Sequence, residues 1–436
     1  MTATVPLHQL SATAAAAAIA SGKLTSEALV AACLEHIESR DGDVRAWAAI
    51  DRKLALQQAR DRDRATPRSR LHGIPIGVKD VIDTCDLPTA YGSPIYSGHQ
   101  PASDAACVAQ VRELGGVILG KTVSTEFATR HPNKTRNPRN LAHTPGGSSS
   151  GSAAAVAADM VPIAFGTQTS ASIVRPAAYC GVIGYKPTFG LLNRAGLKFL
   201  AESLDTLGTL TRTVPDAALI VEALAGVPAP AFAEAANLKP RIGLCRTPYW
   251  QHADASSQAN FERAASKLAA GGAAVEAVTL GGEFAALAAT QVTVSGYEFS
   301  RALTHERMRH PHQISASLTG RINAGLLVTR AEYEAGQSLA LRCRAAAADT
   351  FRQYDVLLAP SATGEAPQGL ESTGDPVFGL MWSLLHLPCL TLPCGTGPAG
   401  LPLGVQVVAR HGADAALFLH AEWIHRALDS GPDAAR

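Results

Sequence analysis

The chain has 436 residues, 47% of them hydrophobic and 17% charged. That is enough apolar side chain to bury a large core and too little charge for a disordered polymer. Its formal net charge of +1 argues against a polyanion held by bulk electrostatics, so no nucleic-acid partner is expected.

No run of 18 apolar residues occurs, which argues against a membrane span. Residues 14–20 are mostly alanine, with no Lys or Arg before Lys23, so this stretch reads as a helix and not a signal peptide. The eight cysteines include no Cys-x-x-Cys pair, the usage of reduced core thiols in a cytoplasmic protein.

Residues 7–40 predict two helices. Thr25 or Ser26 caps the second, Glu27 sits in its first turn, and Leu29, Val30, Cys33, Leu34 and Ile37 share one face. Residues 48–64 predict a strand turning into an exposed helix with a solvated Arg/Asp/Gln face. At 71–83, LHGIPIGVKDVID is a short β-like run broken by Gly and Pro, with Lys79 in an apolar setting. Residues 104–116 predict a helix and 117–119 a buried strand.

That junction, Gly115 to Thr122, satisfies the phosphate-loop pattern G-x-x-x-x-G-K-T. The pattern works only as a loop between a strand and a helix. Here a helix precedes it and the x positions are Gly-Val-Ile-Leu, so a strand is expected and nucleotide binding is not.

Residues 145–186 carry a serine loop, an alanine-rich helix, a strand at 161–165 and a second serine loop, closing at a Gly-x-x-Gly-x-Lys-Pro turn. Beyond them, strands are expected at 241–245, 356–358, 389–392 and 404–408. Helices are expected at 216–225, 259–270, most of 280–350 and 413–428. With no repeat or linker, this alternation predicts one α/β domain over 1–436, a mixed twisted sheet flanked by helices on both faces.

An amide hydrolase needs a nucleophile, a base and donors for the oxyanion. Residues 147–151 (GSSSG) match a nucleophile elbow formally, but a polar loop precedes them where that motif needs a strand. The fourteen histidines show no partner arrangement. The remaining option is a serine activated by a lysine, and the two serine loops plus Lys79 point there. The ordinary alternative is a core lysine paired with Asp80 or Asp83, and serine loops that are only turns.

Four segments carry a resemblance: GIPIGVKD at 73–80, GGSSSGSAAAVAA at 146–158, GTQTSASIVRPAAYCGVIGYKPT at 166–188, and LPCLTLPCG with GLPLGVQVV between 387 and 408. In these the chain resembles the amidase signature family, and most its short bacterial malonamidase-like, aryl acylamidase-like and urethanase-like members. The likeness spans nearly the whole chain, with a signature core at about 68–215. It implies a Ser–cisSer–Lys triad: Ser172 as nucleophile, Ser148 after a cis peptide bond as proton relay, and Lys79 as base.

It also implies an oxyanion hole from the backbone N–H groups of Thr169, Ser170, Ala171 and Ser172, with Ser149 and Thr167 hydrogen-bonded beside the triad. No metal or cofactor is needed. The expected substrates are small amides, anilides or carbamates, cleaved by a monomer or homodimer. The alternative within the family is one component of a tRNA-dependent amidotransferase, a glutaminase that needs a partner chain. In either case the lysine must be neutral to act, and burial is what lowers its reference pKa of about 10.4.

The chain departs from the family at three places. Ser170 and Ala171 stand where the family has glycines; a position needing φ > 0 would cost a non-glycine residue about 1–2 kcal/mol. Gln168 and Val174 replace an acid and an arginine together. Arg175, one place later, either meets a substrate carboxylate or anchors the loop to backbone carbonyls.

His305, His310 and His312 read as a solvated helix end, without the fixed spacing of a metal site. Met381, Trp382, Leu384 and Leu385 line an apolar pocket or belong to the core. The pocket is expected from residues 85–100, 130–145, 290–330 and 365–382. Few basic residues besides Arg175 flank Ser172 in sequence, so an apolar pocket suited to anilides and aryl carbamates is expected.

Overall fold

Eleven strands, most of them buried runs, line up as one mixed sheet in the computed structural model, which describes residues 5–429. These are β1 (Trp47–Ala49), β2 (Pro75–Lys79), β3 (Val117–Thr122), β4 (Ile163–Gln168), β5 (Ile183–Lys186), β6 (Thr206–Thr211), β7 (Arg241–Cys245), β8 (Ala274–Val278), β9 (Val356–Pro360), β10 (Cys389–Thr396) and β11 (Pro402–Val408). Their order is β1-β3-β2-β4-β6-β5-β10-β11-β9-β7-β8. β3, β2 and β4 run parallel, as do β9, β7 and β8, and the strands between are antiparallel. Every residue of β2, β3 and β4 is buried, as parallel strands covered on both faces require. β8, at the edge, is half exposed.

The helices form where patterning and caps demand them. Thr25 accepts from the Ala28 N–H at 3.1 Å to cap the helix Ser26–Val44, and Leu29, Val30, Cys33, Leu34 and Ile37 are its buried face. The helix Ser150–Ala157 is buried along its whole length and contains only Ser, Gly, Ala and Val. It lies against bare backbone: a Cβ at Gly151 would come within 2.2 Å of the Ala46 carbonyl oxygen and 2.3 Å of the Val123 nitrogen. Small side chains there let the helix deliver the preceding serines, Ser148 and Ser149, into the sheet layer.

Three strands escape the sequence reading. β5 lies where a turn is expected, and β6 (TLGTLT) and β8 have no alternation strong enough to announce them. β6 runs antiparallel between β4 and β5, with Gly208 opposite Gly166. A Cβ at Gly208 would sit 2.2 Å from the Tyr185 carbonyl oxygen, so pairing on both sides, and not propensity, makes this strand.

The phosphate-loop lookalike is β3. Lys121 is fully buried, donates to the Ile82 carbonyl at 2.6 Å and lies 3.7 Å from Asp80. Its ammonium is enclosed by the fold, so an ATP titration is expected to show no saturable binding; binding that Lys121→Met abolishes would overturn this. No helix among the described residues is long and apolar enough to cross a membrane.

Candidate active site

β2 and β4 are parallel neighbours, with Ile76 opposite Ile163 and Gly77 opposite Ala164. Their C-terminal ends therefore bring Lys79 and Thr167 side by side. The Lys79 Nζ donates to Ser148 Oγ at 2.8 Å, Thr167 Oγ1 at 2.8 Å and Ser149 Oγ at 3.0 Å, and lies 3.4 Å from the Thr167 carbonyl oxygen. The peptide bond between Gly147 and Ser148 is cis. Ser149 Oγ also accepts from the Thr167 N–H at 3.3 Å. So Lys79 is surrounded by hydroxyls.

Neither acid that could make Lys79 an ordinary salt-bridged residue does so. Asp80 faces Lys121 and accepts from the Ala90 N–H, and Asp83 accepts from the Tyr91 hydroxyl at 2.8 Å. Burial pushes the Lys79 amine down from 10.5 to about 7, with Asp205 opposing the shift. At about 1.36 kcal/mol per unit that is on the order of 5 kcal/mol, and it brings the neutral amine within reach near neutral pH.

The second serine loop, 169–172, is held by its carbonyls. Thr169 O accepts from Gln291 at 2.9 Å, Ser170 O from Ser383 Oγ at 2.7 Å, Ala171 O from the Arg175 N–H at 2.9 Å, and Ser172 O from the Ser149 N–H at 3.3 Å. The N–H groups of the same four residues have no partner among the described residues. Consecutive free donors on a loop fixed from behind form a concavity that suits negative charge. The Ser172 hydroxyl likewise carries no hydrogen bond among the described residues and lines a cleft.

The departures from glycine have a structural answer. Neither Ser170 nor Ala171 has positive φ, so no left-handed strain arises. The Ala171 methyl is accommodated by Gly379, where a Cβ would meet Ala171 Cβ at 2.5 Å and the Ser170 oxygen at 2.6 Å. Gly379→Ala should therefore push the loop out of register and lower kcat about 10- to 100-fold, since misplacements of about 1 Å have that effect. Steady-state kinetics beside a melting curve checks it. Gln168 takes over the loop's other end: its Oε1 accepts from the N–H groups of Ile173 and Val174 at 2.9 and 3.1 Å, and its amide donates to Ser383 at 3.1 Å. Val174, which replaces the arginine, is fully buried in apolar core.

Arg175 is an anchor. It donates to Gly147 O at 2.7 Å, Gly374 O at 2.8 Å and Thr373 Oγ1 at 3.1 Å. Arg175 also lines the cleft in front of Ser172, a narrow space of about 40 Å³. The other lining residues include Thr169, Ser170, Phe299, Arg130 and Arg321. The expectation of few basic residues near Ser172 is corrected here. Arg130 and Arg321 lie 42 residues before and 149 after Ser172 in sequence, so only the fold brings them in.

Met381, Trp382, Leu384 and Leu385 are core, each at most 1% exposed, and none lines the cleft. Ala90, Gly92, Ser93, Pro94 and Ser97 line a separate open groove of about 750 Å³ that includes none of Lys79, Ser148 and Ser172. No group of His, Cys, Asp or Glu among the described residues is placed to hold a metal. Gln291, Ser383 and Gly379, which fix the loop, had no local sequence signal.

A family model described as Amidase matches residues 28–418. The chain is 32% identical to a glutamyl-tRNA(Gln) amidotransferase component of Lysinibacillus sphaericus, over 97% of each chain. Among solved structures, a native peptide amidase from Stenotrophomonas maltophilia superposes with a TM-score of 0.83 at 30% identity, covering 97% of this chain and 98% of that one. The corresponding glutamyl-tRNA(Gln) amidotransferase component of Thermotoga maritima superposes with a TM-score of 0.82 at 28% identity, covering 98% and 96%.

Proposed function

The chain belongs to the amidase family, and from that premise we propose that it is a serine amidohydrolase. It cleaves the C–N bond of small amides, anilides or carbamates through an acyl-enzyme on Ser172. The observation that carries this reading is Lys79: fully buried, held by three hydroxyls, with no carboxylate in contact among the described residues. Its neutral amine accepts the Ser148 proton while Ser148 takes the proton of Ser172, whose oxygen attacks the substrate carbonyl.

The oxyanion that forms is met by the free N–H groups of residues 169–172. Collapse breaks the C–N bond as Ser148 hands a proton to the leaving nitrogen, with Lys79 resupplying it. Water then attacks the ester by the same relay, releasing the acid and regenerating Ser172. Ser149 and Thr167 hold the amine in place, and Arg175 fixes the carbonyl just before Ser148. None of these steps is assigned to a metal or cofactor.

Incubating the chain alone with a panel of anilides, aliphatic amides, carbamates and monoamides tests this. Amine release and an acyl mass increment on the peptide bearing Ser172 are expected. The relatives named as amidotransferase components support a second reading, in which the same acyl-enzyme step uses glutamine and passes ammonia to a partner's substrate. Inertness of the chain alone toward the whole panel, with glutamine turnover restored only by a partner chain, would select that reading. The hydrolase reading also covers a chain that works in the cytoplasm as a monomer or homodimer.

A further inference from the structure

The antiparallel register of β4 and β6 sets Thr167 opposite Leu207 and Gln168 opposite Thr206. One step further along, Thr169, the first residue of the second serine loop, meets Asp205, and the Thr169 hydroxyl donates to Asp205 Oδ1. The other carboxylate oxygen, Oδ2, accepts from the N–H groups of Leu200 and Ala201 at 2.7 and 3.1 Å. Thr169, Leu200 and Ala201 all line the cleft with Ser172. One side chain therefore ties the loop that carries the free N–H groups to another part of the cleft wall.

Asp205 is 6% exposed and is in no ion pair among the described residues. Burying a carboxylate without a cation beside it is costly. A neutral asparagine could satisfy the same hydroxyl and two amides, so the charge points to a use beyond the three hydrogen bonds. That use is Lys79. Asp80 and Asp83 are turned to Lys121 and Tyr91, and the carboxylate that favours the Lys79 ammonium through space is Asp205.

The other charged groups nearby are engaged elsewhere. The Arg194 guanidinium stops at the Asp205 carbonyl oxygen, 2.8 Å away, and Arg175 is held at the Gly147 carbonyl. Glu298, on the helix Leu287–Ala302, accepts from the Ser203 N–H and hydroxyl at 3.0 and 2.6 Å. Burial pushes the Asp205 carboxyl up, Thr169, Leu200 and Ala201 pull it down, and Glu298 adds to the upward push. A fixed negative charge does little for a neutral amine and most for the ammonium formed as Ser172 attacks.

We propose that Asp205 is a positioning residue of the reaction, fixing Thr169 at the start of the second serine loop and steadying the Lys79 ammonium through space. The inference rests on the hydrolase reading above and deepens it. The proton still passes from Ser172 to Ser148 and from Ser148 to Lys79; Asp205 takes none.

Asp205→Asn is the direct test. Its oxygen can take the two N–H groups and its amide can donate to Thr169 Oγ1, so the shape stays and the charge goes. The rising limb of kcat/KM for amide hydrolysis should move to lower pH, because the ammonium loses its counter-charge. The plateau above the limb should fall about 10-fold or more, because a weaker base takes the proton less readily. Thr169→Val, which keeps the charge and cuts the tie, should lower the plateau about 10-fold and leave the limb in place. Thr169→Ser, which keeps the hydroxyl, should stay within about threefold of the unaltered chain. Melting curves confirm that each variant folds. A limb that stays in place in Asp205→Asn, or full activity in Thr169→Val, would overturn the proposal.

NMR of the chain with isotope-labelled lysines reads the same amine without turnover, the Lys79 signal being the one lost in Lys79→Met. A lower midpoint in Asp205→Asn sustains the assignment even if no amide is cleaved. An unmoved midpoint, with amide cleavage intact in the unaltered chain, overturns it and leaves the hydrolase reading standing.

Discussion

Ser172→Ala is expected to abolish acyl-enzyme formation and to lower kcat by about 10⁴-fold or more, the scale on which removing a nucleophile acts. The fold should survive. The Ser172 hydroxyl has no hydrogen bond to lose among the described residues, and the loop is held by backbone carbonyls bonded to Gln291, Ser383, Arg175 and Ser149. A stability change within about 1 kcal/mol is therefore expected, inside the range of substitutions that break no named interaction. Mass spectrometry of the trapped intermediate and a melting curve check the two halves separately. Full activity in the variant would remove Ser172 from the mechanism.

Lys79→Ala is expected to be nearly as damaging, about 10³- to 10⁴-fold in kcat/KM, because it removes the proposed base and leaves Ser148, Ser149 and Thr167 facing a void. Its more telling signature is pH. With the amine held at about 7, kcat/KM of the unaltered chain should rise with pH as the amine loses its proton and level off above about 8. In Lys79→Ala that rising limb should vanish.

The same shift has a stability counterpart with a definite sign. The folded pKa lies below the unfolded one, so between about 7 and about 10.4 the unfolded state binds more protons, and stability rises with pH across that window. Below about 7 both states are protonated and the whole penalty, on the order of 5 kcal/mol, stays in place. Denaturant titrations of the unaltered chain and Lys79→Met at pH 7 and pH 10 should show the unaltered chain gaining stability relative to the variant. Parallel curves would count against a depressed lysine.

Much of the fold was legible because its elements advertise themselves locally. The Thr25 cap, the periodic face from Leu29 to Ile37, and the buried run ending at Lys79 all became the elements expected of them. β6 was not legible. Its Thr-Leu-Gly-Thr-Leu-Thr is ordered by β4 on one side and β5 on the other, and neither contact is local. The lookalike phosphate loop was legible as a strand because a pattern of letters does not supply the loop and helix that such a site needs.

The site divides along the same line. The motifs pointed to Lys79 and two serine loops, and the family they resemble nominated Ser148, Ser149, Thr167 and Ser172 within them. Local motifs could not say whether Asp80 neutralises Lys79, and the fold answers by turning Asp80 to Lys121. Nor could they say what stands behind Ser170 and Ala171, where Gly379 and Ser383 arrive more than two hundred residues later.

The sequence by itself determined an α/β chain with a lysine and two serine loops at fixed spacings, because backbone propensity, periodicity and motif are properties of neighbouring residues. Tertiary structure alone decided the charge around Ser172. Electrostatics acts through space, and Arg130, Arg175 and Arg321 become neighbours only when the loop after β3, the helix Val174–Cys180 and the helix Ala316–Leu327 close around one cleft.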